Sequence, residues 1–218
     1  MNTYVLETLQ TLGVVLLSTF LAYLLGTPLG IILNITSKDG IRPNKIVNFI
    51  LGLIINVLRS IPCLIIIVIA LPLTRAVFGR GTGAWYVMII PLFLSSFAYV
   101  ARIVEQSLAE VDKGVIEAAK SMGASNYQIV TKVLLKESRS SLIMGLAVTL
   151  ISIIGYTSFA YDFAGGGLIS RIYQIYRNNP SDYLSQGSFW LVLILVVLIV
   201  QIIQQSGLLL AKKLDRRN

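Results

Sequence analysis

Glu117 to Leu135 reads EAAKSMGASNYQIVTKVLL, a polar, amphipathic stretch between long apolar runs, and its reading decides the architecture. From Gly114 to Met122 the spacing predicts a short helix with Val115, Ala118, Ala119 and Met122 on one face. Glu117, Lys120 and Ser121 fall on the other. Gly123 stands where a helix would end in a left-handed residue, which glycine adopts without penalty, and Ala124 follows it. Ser125 can then cap a second helix, with Gln128 three residues on completing a capping box. Ile129, Val133 and Leu134 supply that helix with its own apolar stripe. Two short helices meeting at a glycine, beside a membrane, make a knob that another protein can grip.

The setting of this stretch is a membrane. The 218-residue chain is 56% hydrophobic and 13% charged, with a mean hydropathy of +0.79, which marks an integral membrane protein rather than a soluble domain. A net charge of +8 invites a nucleic-acid reading. The basic residues, however, sit between apolar runs and form no single patch, so cytoplasmic loops account for them and no nucleic acid is expected. Cys63 is the only cysteine, so no intrachain disulfide and no thiolate metal cluster is expected. Histidine is absent, which removes the commonest general base and metal ligand.

Outward from the polar stretch, the apolar runs predict an all-α protein of five transmembrane helices, each needing roughly 20 apolar residues. The expected spans are 8–37, 46–74, 81–101, 140–161 and 183–211, one transmembrane domain over 1–218, with the helical loop at 102–139. Gly26-Thr27-Pro28-Leu29-Gly30, in the first span, joins a small-xxx-small spacing to a proline and predicts a close helix contact. Placing the amino terminus outside puts Lys38, Arg42, Lys45, six basic residues from 102 to 139 and four at the carboxyl end inside, thirteen in all. Arg75, Arg80, Arg171 and Arg177 are then the four outside. The bias orients the loop and the carboxyl terminus to the cytoplasm.

Several stretches bear on chemistry. Gly114 to Ser121 is a near-miss to a phosphate-binding loop, with Ala119 at the second glycine position; no strand precedes it and a helix runs through it, so it is rejected. Gly165-Gly166-Gly167 lies on the external side, and its plainest reading is a turn. Arg59 interrupts the second span, where a mid-helix charge costs ~2.5–3.5 kcal/mol on insertion scales. It is expected either to line a water-filled route or to tie a kinked helix to its neighbours through carbonyls freed by Pro62. Tyr156 and Phe159, three residues apart at the end of the fourth span, would share one helical face and could form an apolar gate; lipid-facing aromatics are the alternative. No Asp or Glu lies inside an expected span, which leaves a proton-coupled carrier without its titratable group. The sets needed for hydrolysis or metal chemistry are missing too. A gated channel or a lipid-surface adaptor remains open.

Glu117-Ala118-Ala119, Gly123 and Val133-Leu134-Leu135 resemble the EAA loop of the membrane subunits of ABC importers. Lys136 stands where that family usually carries proline, so the helix break usual there is in question. Gly166-Gly167-Leu168 matches a Gly-Gly-Leu segment of the same permeases, and Arg59-Ser60-Ile61-Pro62 resembles the methionine-uptake type. The segments 118–124 and Gly155-Tyr156 do so as well. The resemblance implies a permease without catalytic residues, cofactor or metal of its own. It implies a homodimer working with two cytoplasmic ATPase subunits and an extracytoplasmic binding protein. Glu117, Ala118, Ala119, Met122, Gly123 and Ala124 would couple to the ATPase, and Tyr156, Phe159 and Arg59 would belong to the route. That type has methionine where this chain has Phe159, so another small amino acid or polar solute is the first alternative.

Overall fold

The computed structural model describes residues 2–160, 162–163 and 166–214. Tyr161, Gly165, Arg216 and Arg217 lie outside the described residues. Helices account for most of the chain and no strand occurs among the described residues. The elements are α1 (Asn2–Thr36), α2 (Lys45–Ser60), α3 (Cys63–Phe78), a 3-10 turn (Trp85–Met88) leading into α4 (Ile89–Ala109), and α5 (Lys113–Ser121). There follow α6 (Asn126–Gln128), a π-helical segment (Ile129–Leu134), α7 (Leu135–Glu137) and α8 (Arg139–Tyr156) with a 3-10 turn (Thr157–Phe159). Last come α9 (Leu168–Asn178) and, after a 3-10 turn (Tyr183–Ser185), α10 (Gly187–Leu214).

Four stretches are long and apolar enough to cross a membrane: Thr3–Thr36, Trp85–Ala109, Arg139–Phe159 and Gly187–Leu214. The second expected span is corrected. It is two 16-residue helices, α2 and α3, and the axis bends by 101° between them. Pro62 is the cause, since it offers no N–H and biases Ile61 away from helical backbone. Pro62 itself takes extended backbone (φ −57°, ψ 139°) ahead of α3. The third span is also corrected, because α4 runs to Ala109 and contains Arg102 and Glu105. In the fourth, the α-helix stops at Tyr156 and tightens into the 3-10 turn. The fifth begins at Gly187 rather than 183.

The described residues pack as two compact units that share the long helices. One draws on 1–21, 61–96 and 149–205. Its core is Val14, Val15, Ile67, Met88, Leu92 and Ile153, all nearly inaccessible. Within it the Ser18 hydroxyl donates to the Ile89 carbonyl at 3.1 Å, at the junction where the 3-10 turn becomes α4. The other unit draws on 22–60, 97–148 and 206–218 and is centred on Leu33, Ile55, Ala98 and Ala101. Here the small-xxx-small spacing of α1 meets α4 as expected. A β-carbon added at Gly26 would lie 2.7 Å from the Phe97 carbonyl oxygen, and one at Gly30 would lie 2.5 Å from that of Ala101. Only glycine permits backbones this close.

Candidate functional site

The two-helix knob is built as its sequence dictates. Asp112 starts α5, its Oδ1 accepting from the Gly114 N–H at 2.6 Å. Gly123 ends the turn at φ 78°, in the left-handed region. Its N–H donates to the Lys120 carbonyl at 2.9 Å while the Ala124 N–H donates to that of Ala119 at 3.1 Å, the pair of bonds that closes a helix on a left-handed glycine. Ser125 and Gln128 form the reciprocal capping box: the Gln128 N–H reaches Ser125 Oγ at 3.3 Å, and the Ser125 N–H reaches Gln128 Oε1 at 2.8 Å. Lys136 does not break the helix, which passes through α7 and pauses only at Ser138 before α8. The Ser138 hydroxyl, buried, donates to the Leu134 carbonyl at 2.7 Å.

Burial sorts the residues of the knob. Ala119, Ile129 and Leu134 are buried and seat it. Ala118 is exposed, and Val115 and Met122 are 43% and 81% exposed. The expected apolar face of α5 is therefore split, with Ala119 inward and the rest outward. Glu117 is exposed as well and makes no hydrogen bond among the described residues. Lys113 Nζ pairs with Asp39 Oδ1 at 3.3 Å in the loop after α1. The Ser141 hydroxyl of α8 donates to the Glu110 carboxylate at the end of α4. A cleft of about 200 Å³, lined by Asn34, Ile41, Val111, Ile116 and Lys120 among others, leaves α5 partly free of that same loop.

Of the two roles expected of Arg59, the tie between helices is not formed within the described residues. Arg59 sits in the last turn of α2, exposed, and makes no hydrogen bond among the described residues. The tie between helices is made by Arg102 instead. Its guanidinium donates to Glu105 Oε2 at 2.5 Å on α4, and to Asn56 Oδ1 at 2.9 Å and the Gly52 carbonyl at 3.2 Å on α2. Both charged side chains are 19% exposed, and the Asn34 amide adds a bond to the Glu105 carbonyl at 3.4 Å. A signal for this was present. Arg102 and Glu105 are three residues apart inside the apolar repeat Ala98, Ala101, Val104 and Leu108, so they are a helical pair rather than loop charges.

Tyr156 and Phe159 are separated by the change of helix type. Tyr156 packs against the core of the first unit, whereas Phe159 is 49% exposed. The Gly-Gly-Leu segment proves to be the start of α9. Gly167 has φ 94°; its N–H donates to Gln10 Oε1 at 3.0 Å, and the Leu168 N–H to Thr11 Oγ1 at 2.9 Å. Side chains of α1 thus satisfy the first amides of α9. Arg171 on α9 pairs with Glu7 at 3.4 Å and lies over the Tyr4 ring. Nothing local in the sequence announces a cap 157 residues away.

Long helices apolar enough to cross a membrane, with a two-helix knob in the polar stretch between two of them, are those of an integral membrane protein. The chain belongs to the family described as "Binding-protein-dependent transport system inner membrane component", matched over residues 26–216, and it is a multi-pass inner-membrane permease. It is 40% identical over 212 residues to the probable D-methionine transport system permease protein MetI of Pasteurella multocida, covering 97% of this chain and 95% of that one. It is likewise 40% identical over 187 residues to the methionine import system permease protein MetP of Bacillus subtilis, covering 85% and 82%. Among solved structures, the MetNI methionine ABC transporter in an inward-facing conformation superposes with a TM-score of 0.90 at 32% identity, over 99% of this chain and 98% of that one. An amino acid ABC transporter at 19% identity and a TM-score of 0.69 shares the fold.

Proposed function

We propose that the chain is the membrane-spanning subunit of an ATP-driven importer for methionine, working as two copies with two cytoplasmic ATPase subunits and fed by an external binding protein. The observation that carries the coupling role is the knob itself. Ala119, Ile129 and Leu134 anchor it, while Val115, Ala118 and Met122 stand outward as an apolar surface fit for a partner's groove. Methionine as cargo is supported by the names of the relatives. The thirteen-to-four basic bias supports an outside amino terminus, with the knob and the carboxyl end in the cytoplasm.

In this reading ATP binding draws the two ATPases together and carries both knobs with them. Each α5 is fixed to the end of α4 and, through the π segment and α7, runs on into α8. A displacement at the knob therefore reaches two spans as a lever rather than through a flexible loop. Substrate enters between the two copies and leaves to the cytoplasm when the ATPases part. Arg59, exposed at the bend between α2 and α3, and Phe159, exposed after α8, are assigned to the route. A charge at the break of a span is tolerated where it meets water or a partner.

The test is ATP-dependent uptake of labelled methionine into liposomes holding the permease, its ATPase and its binding protein, with other amino acids as competitors. Ala118→Trp should abolish uptake and ATPase co-purification while the protein still inserts. Phe159→Ala should raise ATP hydrolysis in the absence of substrate. Wild-type uptake by the Trp variant would refute the coupling role, and a competitor preferred over methionine would refute the substrate. Uptake that persists without ATPase would favour a channel.

A further inference from the structure

α10 has two unlike faces. Val192, Ile199, Ile203 and Gly207 recur at helical spacing and pack against the rest of the chain. The opposite face carries Gln201, Gln204 and Gln205, all exposed. Spaced by three and four residues, the three carboxamides form one patch. Gln201 is thirteen residues from the end of the helix at Leu214 and fourteen from its start at Gly187. At 1.5 Å per residue it lies about 20 Å from either end, beyond the reach of a glutamine side chain to the headgroups. None of the three carboxamides hydrogen-bonds to a described residue.

Hydrocarbon offers neither donor nor acceptor, so a carboxamide at this depth needs a partner outside its own chain. The surroundings indicate which. Ile194, Val197, Leu198 and Ile202 flank the patch and are 49–64% exposed, and α10 carries no charge before Lys212. A polar centre ringed by large aliphatic side chains is the composition of a packed helix contact rather than of a wet channel wall. A carboxamide carries a donor and an acceptor on one group and is therefore its own complement. A two-fold contact, in which one patch meets its own copy, requires that property. A lone cation such as Arg59 lacks it.

We propose that α10 forms a seam between two copies of this chain, with Gln201 and Gln205 of one copy hydrogen-bonded to the same residues of the second. This rests on the pairing put forward above and specifies where it occurs. The test starts with the permease–ATPase complex in lipid nanodiscs, where native mass spectrometry counts the permease copies before any residue is changed. A single copy would refute pairing and seam together. Given two copies, Cys63→Ser supplies a cysteine-free background for Gln201→Cys and Gln205→Cys, with Val192→Cys on the packed face as control. Both glutamine positions should cross-link into a permease dimer with a short bis-maleimide, and the control should not. Gln201→Leu combined with Gln205→Leu should lower the dimer fraction of the detergent-solubilised permease at least about threefold, from the measured range of inter-helix hydrogen bonds in membranes. Gln201→Asn should retain part of it. Two copies without cross-linking, with the cysteines labelled by a water-soluble thiol reagent, would mean the patch lines an aqueous route. Labelling by a lipid-soluble reagent alone would mean it faces lipid. Either result overturns the seam while leaving the pairing intact.

Discussion

Arg102→Leu, near the end of α4, should destabilise the protein markedly. The substitution removes three hydrogen bonds: those to Glu105, Asn56 and the Gly52 carbonyl. It strands the Glu105 carboxylate, which is only 19% exposed. Breaking a fully buried pair by deleting one partner costs about 3–5 kcal/mol, and partial exposure brings the expectation here to about 3 kcal/mol. For a chain of this size that lowers the melting temperature by roughly 6–12 °C. Arg102→Leu with Glu105→Leu removes the stranded charge together with its partner, so the double variant should recover more than half of the loss. The assay is the thermal unfolding of purified permease in nanodiscs, read by loss of the monodisperse peak, for wild type, both single variants and the double. Equal losses in Arg102→Leu and in the double variant would refute the reasoning, since they would trace the damage to shape rather than to an uncompensated charge. No loss in Arg102→Leu would show that the tie between α2 and α4 is idle.

Two further outcomes follow from the same geometry. Gly30→Ala puts a β-carbon 2.5 Å from the Ala101 carbonyl oxygen and should destabilise the protein by about 1–3 kcal/mol through overpacking. Gly155→Ala adds a carbon that meets nothing within 4 Å and should be neutral or slightly stabilising in the same melting assay, so equal melts would contradict the close approach of α1 to α4. A periplasmic reporter fused near Tyr173 and a cytoplasmic reporter fused after Arg217 should both be active; activity on the opposite sides would reverse the orientation drawn from the basic residues.

Much of the site was legible because its signals are local. The short helix α5, the left-handed Gly123 and the Ser125–Gln128 box depend on contacts within a few residues, and each formed as its sequence required. The same holds for the four long spans, whose length and apolarity are properties of the segment alone. The close approach at Gly26 and Gly30 was legible as well, since glycine at a four-residue spacing has little other use in an apolar helix.

What the sequence determined by itself was therefore the class of protein, the knob and the positions of most spans. Only the tertiary structure decided which polar groups pair across helices. Arg59 and Arg102 both interrupt apolar surroundings; Glu105 marks Arg102 as half of a helical pair, but nothing near either arginine says which helix lies opposite. Arg102 finds Asn56 and Gly52 from 46 and 50 residues away, whereas Arg59 sits at the proline-induced bend with no such partner among the described residues. The caps that Gln10 and Thr11 place on α9 are equally non-local. The physical reason is common to both. Backbone conformation follows from short-range sterics and periodicity, while the pairing of a charge or an amide inside a bundle depends on which helix lies opposite it.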